Sequence, residues 1–303
     1  MSRMIIYIKP RSLFPTLHSD TIFGALLSSM KYIYPEKFQD TLLRFKRGDA
    51  PFLVSSAFPF MDLDGEKIKL LPKPLMKPER QDLEAAKNIR KVRYVEEIIF
   101  KEWAQKGERA ISSKMGEYQL KDGILLQGDH DVDFKFDAST VPRNTINRIT
   151  NTSENIFYSS GVSMEGLGLF FLVKFMEDSY EDIVKGLMRY LEDRGFGGDI
   201  SIGKGQFTHE VSDEEMLPDT GNYFVTLSRY IPRSEEILAM GNKMWYEIGS
   251  KRGRGSDGIL RKKVNFFQEG STFKTLPHEI YGQVVQSASE AVEYGLAYPV
   301  GLE

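Results

Sequence analysis

Between Gly195 and Phe207 the chain places five glycines and one lysine in thirteen residues. A backbone without Cβ atoms reaches positive φ and comes close to a ligand, so such a run can turn several main-chain N–H groups toward one anion. The chemistry it suggests is phosphate binding. Gly198 to Lys204 even spells GxxxxGK. A nucleotide-binding P-loop would follow that lysine with Ser or Thr to hold a metal, and would sit between a preceding strand and a following helix. Here Gly205 stands after the lysine. A plain flexible turn is the bland alternative.

The flanking elements run in the order opposite to a P-loop. Ser179 with Asp182 reads as a capping box, and Ile183, Val184, Leu187, Met188 and Leu191 recur at helical spacing until Gly195 offers a C-cap. Gln206 to Val211 then alternates like a strand. Upstream, Met4, Ile6 and Ile8 mark a first strand that ends at Pro10. Ser19 is the expected N-cap of a helix whose apolar face is Ile22, Phe23, Leu26, Leu27, Met30 and Ile33. Phe52 to Phe58 reads as a second strand and Gly168 to Met176 as a buried third. The prolines of 70–78 require extended chain. Glu79 to Lys106 is expected as one helix stopped by Gly107, and 108–139 is polar and turn-rich.

These elements predict an α+β protein of two ferredoxin-like domains, because β-α-β, an insertion and β-α-β is the split βαβ arrangement. The first domain spans 1–212, with a helical insertion at about 79–140 and an arm, hairpin or extended, at about 141–158. The second, smaller one spans 213–303. Ferredoxin-like sheets often hold RNA through aromatics on two central strands. Aligned to that pattern, Glu165 replaces the basic residue and Leu167, Leu169 and Leu172 replace the aromatics. RNA, if bound, must be held by loops and arms. Trp245, Tyr246, Phe266 and Phe267 belong either to the core or to an interface.

The bulk numbers narrow the class. The chain has 303 residues, net charge −3, no cysteine and four scattered histidines, which excludes a disulfide framework, a thiolate metal site and any metal-ligand spacing. No cofactor is called for. No apolar run is long enough for a membrane span, and the N-terminal apolar stretch is too short for a signal peptide, so a cytoplasmic protein is expected. The chain lacks the global basic field of a free-standing nucleic-acid binder. Its basic residues cluster, four between Lys87 and Arg93 and six between Lys251 and Lys263 against the single acid Asp257. That distribution fits one polyanion-facing side within a larger assembly.

Five segments carry a resemblance: His18 to Gly24, Arg143 to Arg148, the Gly195 to Phe207 loop, Lys262 to Ser271 and Tyr294 to Leu302. In this order they resemble the RAMP superfamily and, more narrowly, the fourth subunits of the Csm effector complexes of type III-A CRISPR systems. The resemblance implies a noncatalytic RNA-binding subunit that grips the 5′ tag of the CRISPR RNA. Its implied partners are that RNA, a large polymerase-like (Cas10-type) subunit and a RAMP backbone subunit. The tag backbone would be held by Gly195, Phe196, Gly197, Gly198, Ser201, Gly203, Lys204 and Gly205, with His18 and Ser19 nearby at a helix N-terminus that favours anions. The arm bearing Arg143, Asn144 and Arg148 would separate tag from guide, and Arg252 and Arg254 would add phosphate contacts. The alternative is a metal-independent RAMP endoribonuclease that processes precursor RNA. It would need an acid/base partner for His18, which has no Tyr or Lys immediately beside it in sequence.

Overall fold

Five consecutive apolar residues, Met4 to Ile8, are all buried in β1 (Arg3–Pro10), so both faces of this strand are covered. The structure, a computed structural model, describes residues 2–63, 65–77, 83–128, 135–197, 200, 203–213, 217–218, 221–253, 260–288 and 291–302. After β1 come α1 (Ser19–Ile33), α2 (Pro35–Arg47), β2 (Phe52–Val54), β3 (Phe58–Leu63) and β4 (Glu66–Pro72). The strand expected over 52–58 is broken at Ser55 and Ser56. Ser55 Oγ accepts the Leu172 N–H, at 2.8 Å, where the ladder would otherwise continue, which ends one strand and redirects the next.

The insertion is not one helix. It contains α3 (Leu83–Lys91), β5 (Tyr94–Glu96), α4 (Glu97–Ser113), β6 (Tyr118–Lys121) and β7 (Ile124–Gln127). Gly107, at φ +77 and ψ 176, kinks α4 rather than stopping it. The polar stretch after it therefore holds a last helical turn and a hairpin. Next come β8 (Lys135–Asn147) and β9 (Thr152–Glu165), paired antiparallel as the long hairpin of the arm. Then follow β10 (Leu167–Phe175), α5 (Glu181–Arg194) and β11 (Phe207–Ser212). The expected Ser179 capping box is absent. Ser179 lies in a short 3-10 turn, and α5 starts at Glu181 without a side-chain cap.

The large sheet has the order β11-β1-β10-β3-β4-β5-β7-β6, with β2 also on β10. Its first part, antiparallel throughout, pairs Ile6 with Phe171 on one side and Val211 on the other. The C-terminal strands β12 (Tyr223–Thr226), β13 (Met244–Trp245), β16 (Thr272–Lys274) and β19 (Pro299–Leu302) form a second sheet in the order β13-β16-β12-β19. In each sheet the first strand lies between the last two in the chain, β1 between β10 and β11 and β12 between β16 and β19. Helix α6 (Ser234–Met240) follows β12, and two-stranded ribbons β14 (Ile248–Lys251) with β15 (Val264–Phe267) and β17 (Val285–Gln286) with β18 (Val292–Glu293) complete the half. Among the described residues no helix is long and apolar enough to cross a membrane.

One buried cluster runs through both halves, from Met4, Phe23 and Phe45 to Val225, Tyr294 and Leu302. Tyr294 packs its ring 4.8 Å from that of Phe23, and its hydroxyl accepts the Val54 N–H at 3.0 Å. Full burial of a tyrosine this size contributes on the order of 2 kcal/mol, and the hydroxyl is satisfied, so the halves are joined by core rather than by a linker alone.

The sheet face expected to lack stacking aromatics does carry Tyr7, Phe60 and Phe170, with ring centroids 5.0 and 6.2 Å from Tyr7. They are buried. Lys67 Nζ lies 4.9 Å from the Tyr7 ring centroid, and Lys69, paired opposite Phe60, bonds Glu97 at the start of α4 at 3.1 Å. The rings are thus overlain by Lys67 and flanked by the Lys69–Glu97 pair.

Candidate nucleic-acid interface

The segment leading into α1 fixes the centre of the site. His18 is the N-cap and Ser19 the first helical residue, and neither caps with its side chain. The orphan N–H of Ser19 is taken instead by Ser56 Oγ at 2.8 Å, while Ser19 Oγ accepts the Arg229 N–H at 3.0 Å. Ser19 is fully buried, and its hydroxyl joins the two halves. His18 Nδ1 bonds Glu269 Oε1 at 3.0 Å, with the imidazole one-third exposed. Ser56 Oγ donates to the same oxygen. Burial works to raise the Glu269 pKa, but the bonds and charge from His18, with Ser56, outweigh it and hold the carboxyl below its ordinary value.

Asp20 is the anchor beside it. Burial again opposes ionisation, and the charges of Arg229 and Lys251 prevail and lower its pKa. Lys251 also faces Glu293, which bonds Arg261 at 3.2 Å. Two of the six cations in the 251–263 run are thereby neutralised inside the protein. Arg252 is exposed, its Nε donating to Arg261 O at 3.1 Å, and Lys262 and Lys263 are exposed as well. Arg254 lies outside the described residues.

The glycine loop differs in an important way from a set of bare amides. Gly195 N donates to Leu191 O, Phe196 N to Gly205 O, Gly203 N to Ile200 O and Gly205 N to Leu13 O. These four amides are engaged by the fold and do not face an anion. The Phe196 side chain, 1% exposed, packs against Phe14 and Phe207 in the core. The ring therefore belongs to the core. Gly205, at φ +72, presses on the Phe196 backbone, so a Cβ there would lie 1.8 Å from the carbonyl oxygen. Glycine is needed for chain-to-chain approach at that position. Gly197 abuts Pro15, and Lys204 Nζ donates to Ser160 O at 2.5 Å. Gly198 and Ser201 lie outside the described residues.

That lysine contact clips the loop to the root of the arm. Phe14 and Val162 exchange backbone bonds of 3.1 and 2.7 Å at the same root. Along the arm, Arg143 stands opposite Phe157, and its buried Nε meets no hydrogen-bond partner among the described residues. Asn144 occupies a bulge and donates to Ser153 Oγ at 2.7 Å. Arg148 lies exposed in the turn. Ile146, Ile149, Ile156 and Tyr158 are also exposed, Ile149 at 95%, an apolar character that attention to the arginines missed. Glu269 was missed too, although it sits within one of the five segments that carry the resemblance. Its spacing from His18 gives no local signal. Of the aromatics left undecided, Phe266 is buried under the Arg229 guanidinium, whereas Tyr246 is exposed.

Comparison with known proteins bears on this geometry. The family model of the RAMP superfamily matches residues 7–208, which include the arm and the glycine loop. The Csm4 protein of Thermococcus onnurineus (strain NA1), described as a CRISPR system protein, is 25% identical over 296 residues, covering 94% of this chain and 91% of its own. A chain in the crystal structure of a Csm3-Csm4 subcomplex of the type III-A CRISPR-Cas interference complex aligns at TM-score 0.70 and 16% identity, over the full length of both. A chain of a Csm1-Csm4 cassette solved with pppApA aligns at 0.62 and 19%, over 100% of this chain and 98% of that one. The matched span covers the sheet, the arm and the loop together, and the chain belongs to the RAMP superfamily.

Proposed function

We propose that the chain is a noncatalytic RNA-binding subunit of a type III-A CRISPR (Csm) ribonucleoprotein effector. It grips the repeat-derived 5′ tag of the CRISPR RNA and bridges a large polymerase-like subunit to a RAMP backbone subunit. Family membership and the near end-to-end likeness to Csm4 support this reading. The shared placement of the first strand between the last two in both sheets supports the view that each is a ferredoxin-like unit.

The observation that carries the proposal is the Lys204 to Ser160 clip, which joins the glycine loop to the arm two residues before Val162, a residue that lines one cavity with His18. RNA running along that junction meets three kinds of contact. An ammonium has three donors, so Lys204 can reach a phosphate while keeping Ser160. Arg143, Arg148 and Arg252 add positive charge without sequence preference. The exposed Ile146, Ile149 and Tyr158 form an apolar wedge of the kind that unstacks neighbouring bases. The engaged amides give the loop a second role: they hold Lys204 and Gly197 in place and leave fewer donors for the RNA.

The test is copurification of RNA with the assembled complex. Wild type carries RNA of uniform 5′ end, and the double variant Lys204→Ala with Arg148→Ala loses most of it. Undiminished RNA in the double variant would overturn the grip. The same complex, given repeat RNA without divalent ions, leaves it intact; cleavage abolished by His18→Ala would establish the endoribonuclease alternative.

A further inference from the structure

The second half of the chain repeats the way the arm is rooted. β9 leads into β10, the neighbour of β1, and β15 leads into β16, the neighbour of β12. Four residues beyond the end of β1 at Pro10, Phe14 forms an antiparallel bridge with Val162 of β9. Four residues beyond the end of β12 at Thr226, Tyr230 forms an antiparallel bridge with Phe267 of β15. Each bridge is a mutual pair of backbone bonds, 3.1 and 2.7 Å at the first and 3.0 and 2.8 Å at the second. Phe14 and Tyr230 are both fully buried, and each is followed by a helix, α1 at Ser19 and α6 at Ser234. The ribbon β14–β15 therefore stands in the second half where the arm β8–β9 stands in the first. The two roots are neighbours, since Val162 and Met164 at one and Gln268 and Glu269 beside the other line a single cavity.

One face of this ribbon is sealed against the body and the other is open. Gly249 lies so close to Phe266 that a Cβ there would be 2.5 Å from the ring, and Phe266 lies under the Arg229 guanidinium. On the same face Lys251 pairs with Asp20, and near it Arg261 pairs with Glu293; both carboxylates are buried. Losing either cation would strand a buried charge, which holds the root in place. In alternation with these, Tyr246, Ile248, Ser250 and Arg252 are exposed, and Asn265, opposite Ser250, and Lys263 are exposed on the partner strand. The Tyr246 ring lies 4.6 Å from that of Phe267. The ammonium groups of Lys262 and Lys263 have no partner among the described residues. Glu247 is the one acid described between 243 and 267, against exposed Lys243, Arg252, Lys262 and Lys263.

Resting on the proposed function, we infer that β14–β15 is a second arm of the RNA path, which takes single-stranded nucleotides next to those held at β8–β9. One base stacks on Tyr246, and Arg252, Lys262 and Lys263 pair with phosphates. An aromatic ring beside a row of cations holds a single strand whatever its sequence, since every base has a π-face and every nucleotide a phosphate. The excess of exposed cations is what a polyanion complements. The neighbouring roots make the ribbon continuous with the junction of Lys204 and Ser160, so one strand of RNA can meet both arms.

The experiment uses the assembled complex and the RNA that copurifies with it. The photo-crosslinking residue p-benzoylphenylalanine replaces Tyr246 in one preparation and Tyr158 in another, and the crosslinked nucleotides are mapped by primer extension. The two probes should mark different, neighbouring nucleotides of the same RNA. Tyr246→Ala should weaken RNA retention on the order of tenfold, the scale of one base stacked on an aromatic side chain, and Tyr246→Phe should keep it, because the ring makes the stack. Arg252→Ala with Lys263→Ala should make the salt dependence of retention shallower by about 1.4 units of log–log slope, ~0.7 for each phosphate of a single strand. All three positions are exposed, and urea midpoints equal to wild type check that the variants fold. A probe at Tyr246 that reaches only protein, or nothing, while RNA is retained overturns the second arm and leaves the grip standing. Coincident crosslinks from the two probes, or an unchanged slope in the folded double variant, overturn it as well. Wild-type complex that holds no RNA overturns both the arm and the grip.

Discussion

Gly205→Ala puts the loop's architecture to a direct test, with Gly203→Ala as its control. Both glycines have positive φ, +72 and +80, so each substitution carries the left-handed cost of about 1 kcal/mol. They differ in surroundings. A Cβ on Gly203 meets nothing within 4 Å, whereas one on Gly205 lies 1.8 Å from Phe196 O and 2.8 Å from Phe196 C. Backbone atoms cannot swing aside like the end of a side chain, so the two strands of the loop must part. Parting them breaks the 2.9 Å bond from Phe196 N to Gly205 O, worth about 1 kcal/mol, and displaces the Phe196 ring from Phe14 and Phe207 at about 1–3 kcal/mol. The sum is about 3–5 kcal/mol for Gly205→Ala against about 1 for Gly203→Ala. Urea unfolding of the two variants side by side reads the difference, and hydrogen exchange at the Phe196 amide localises it. Equal midpoints, or undiminished protection of that amide in Gly205→Ala, would refute the packed-loop account.

Three further outcomes are expected. Arg148→Ala, at an exposed turn, leaves the unfolding free energy within about 0.5 kcal/mol of wild type but makes the salt dependence of RNA retention shallower by about one unit of log–log slope; an unchanged slope would remove Arg148 from the RNA path. Ser19→Ala strands the Arg229 N–H and costs about 1–3 kcal/mol of stability, with no loss of RNA from the folded complex; the reverse pattern would restore Ser19 as a contact. The third concerns acid. Asp20 and Glu269 both have folded pKa values below their ordinary ones, so their stabilisation is present above the unfolded values near pH 4 and is lost as pH falls through the folded values. The urea midpoint should therefore drop below about pH 4, and less steeply in Asp20→Asn. Parallel acid limbs in the two proteins would contradict the assignment.

Much of the frame was legible because burial writes a period into the chain. Met4 to Ile8 and Gly168 to Met176 announced strands, Ile22 to Met30 the helix α1, and Gly195 the C-cap of α5. The misreadings have two causes, one tertiary and one local. One helix was expected over 79–106, yet Tyr94 to Glu96 pairs with Leu70 to Pro72, and that pairing with a distant strand outweighs local helical spacing. Ser179 had the pattern of a cap, but the first turn of α5 begins two residues later, on a 3-10 turn.

By itself the sequence determined β1, α1, β10, α5 and β11, the glycine-rich bend and the motifs of the superfamily, since each is written in neighbouring residues. Only the tertiary structure decided which groups remain available to RNA. The Ser19 hydroxyl and four amides of the loop had the right chemistry for an anion, and partners within the folded chain, Arg229 N–H and Leu13 O among them, took them first. His18 and Glu269, separated by 251 positions, became one unit because a buried carboxylate takes its donors wherever the packed chain delivers them.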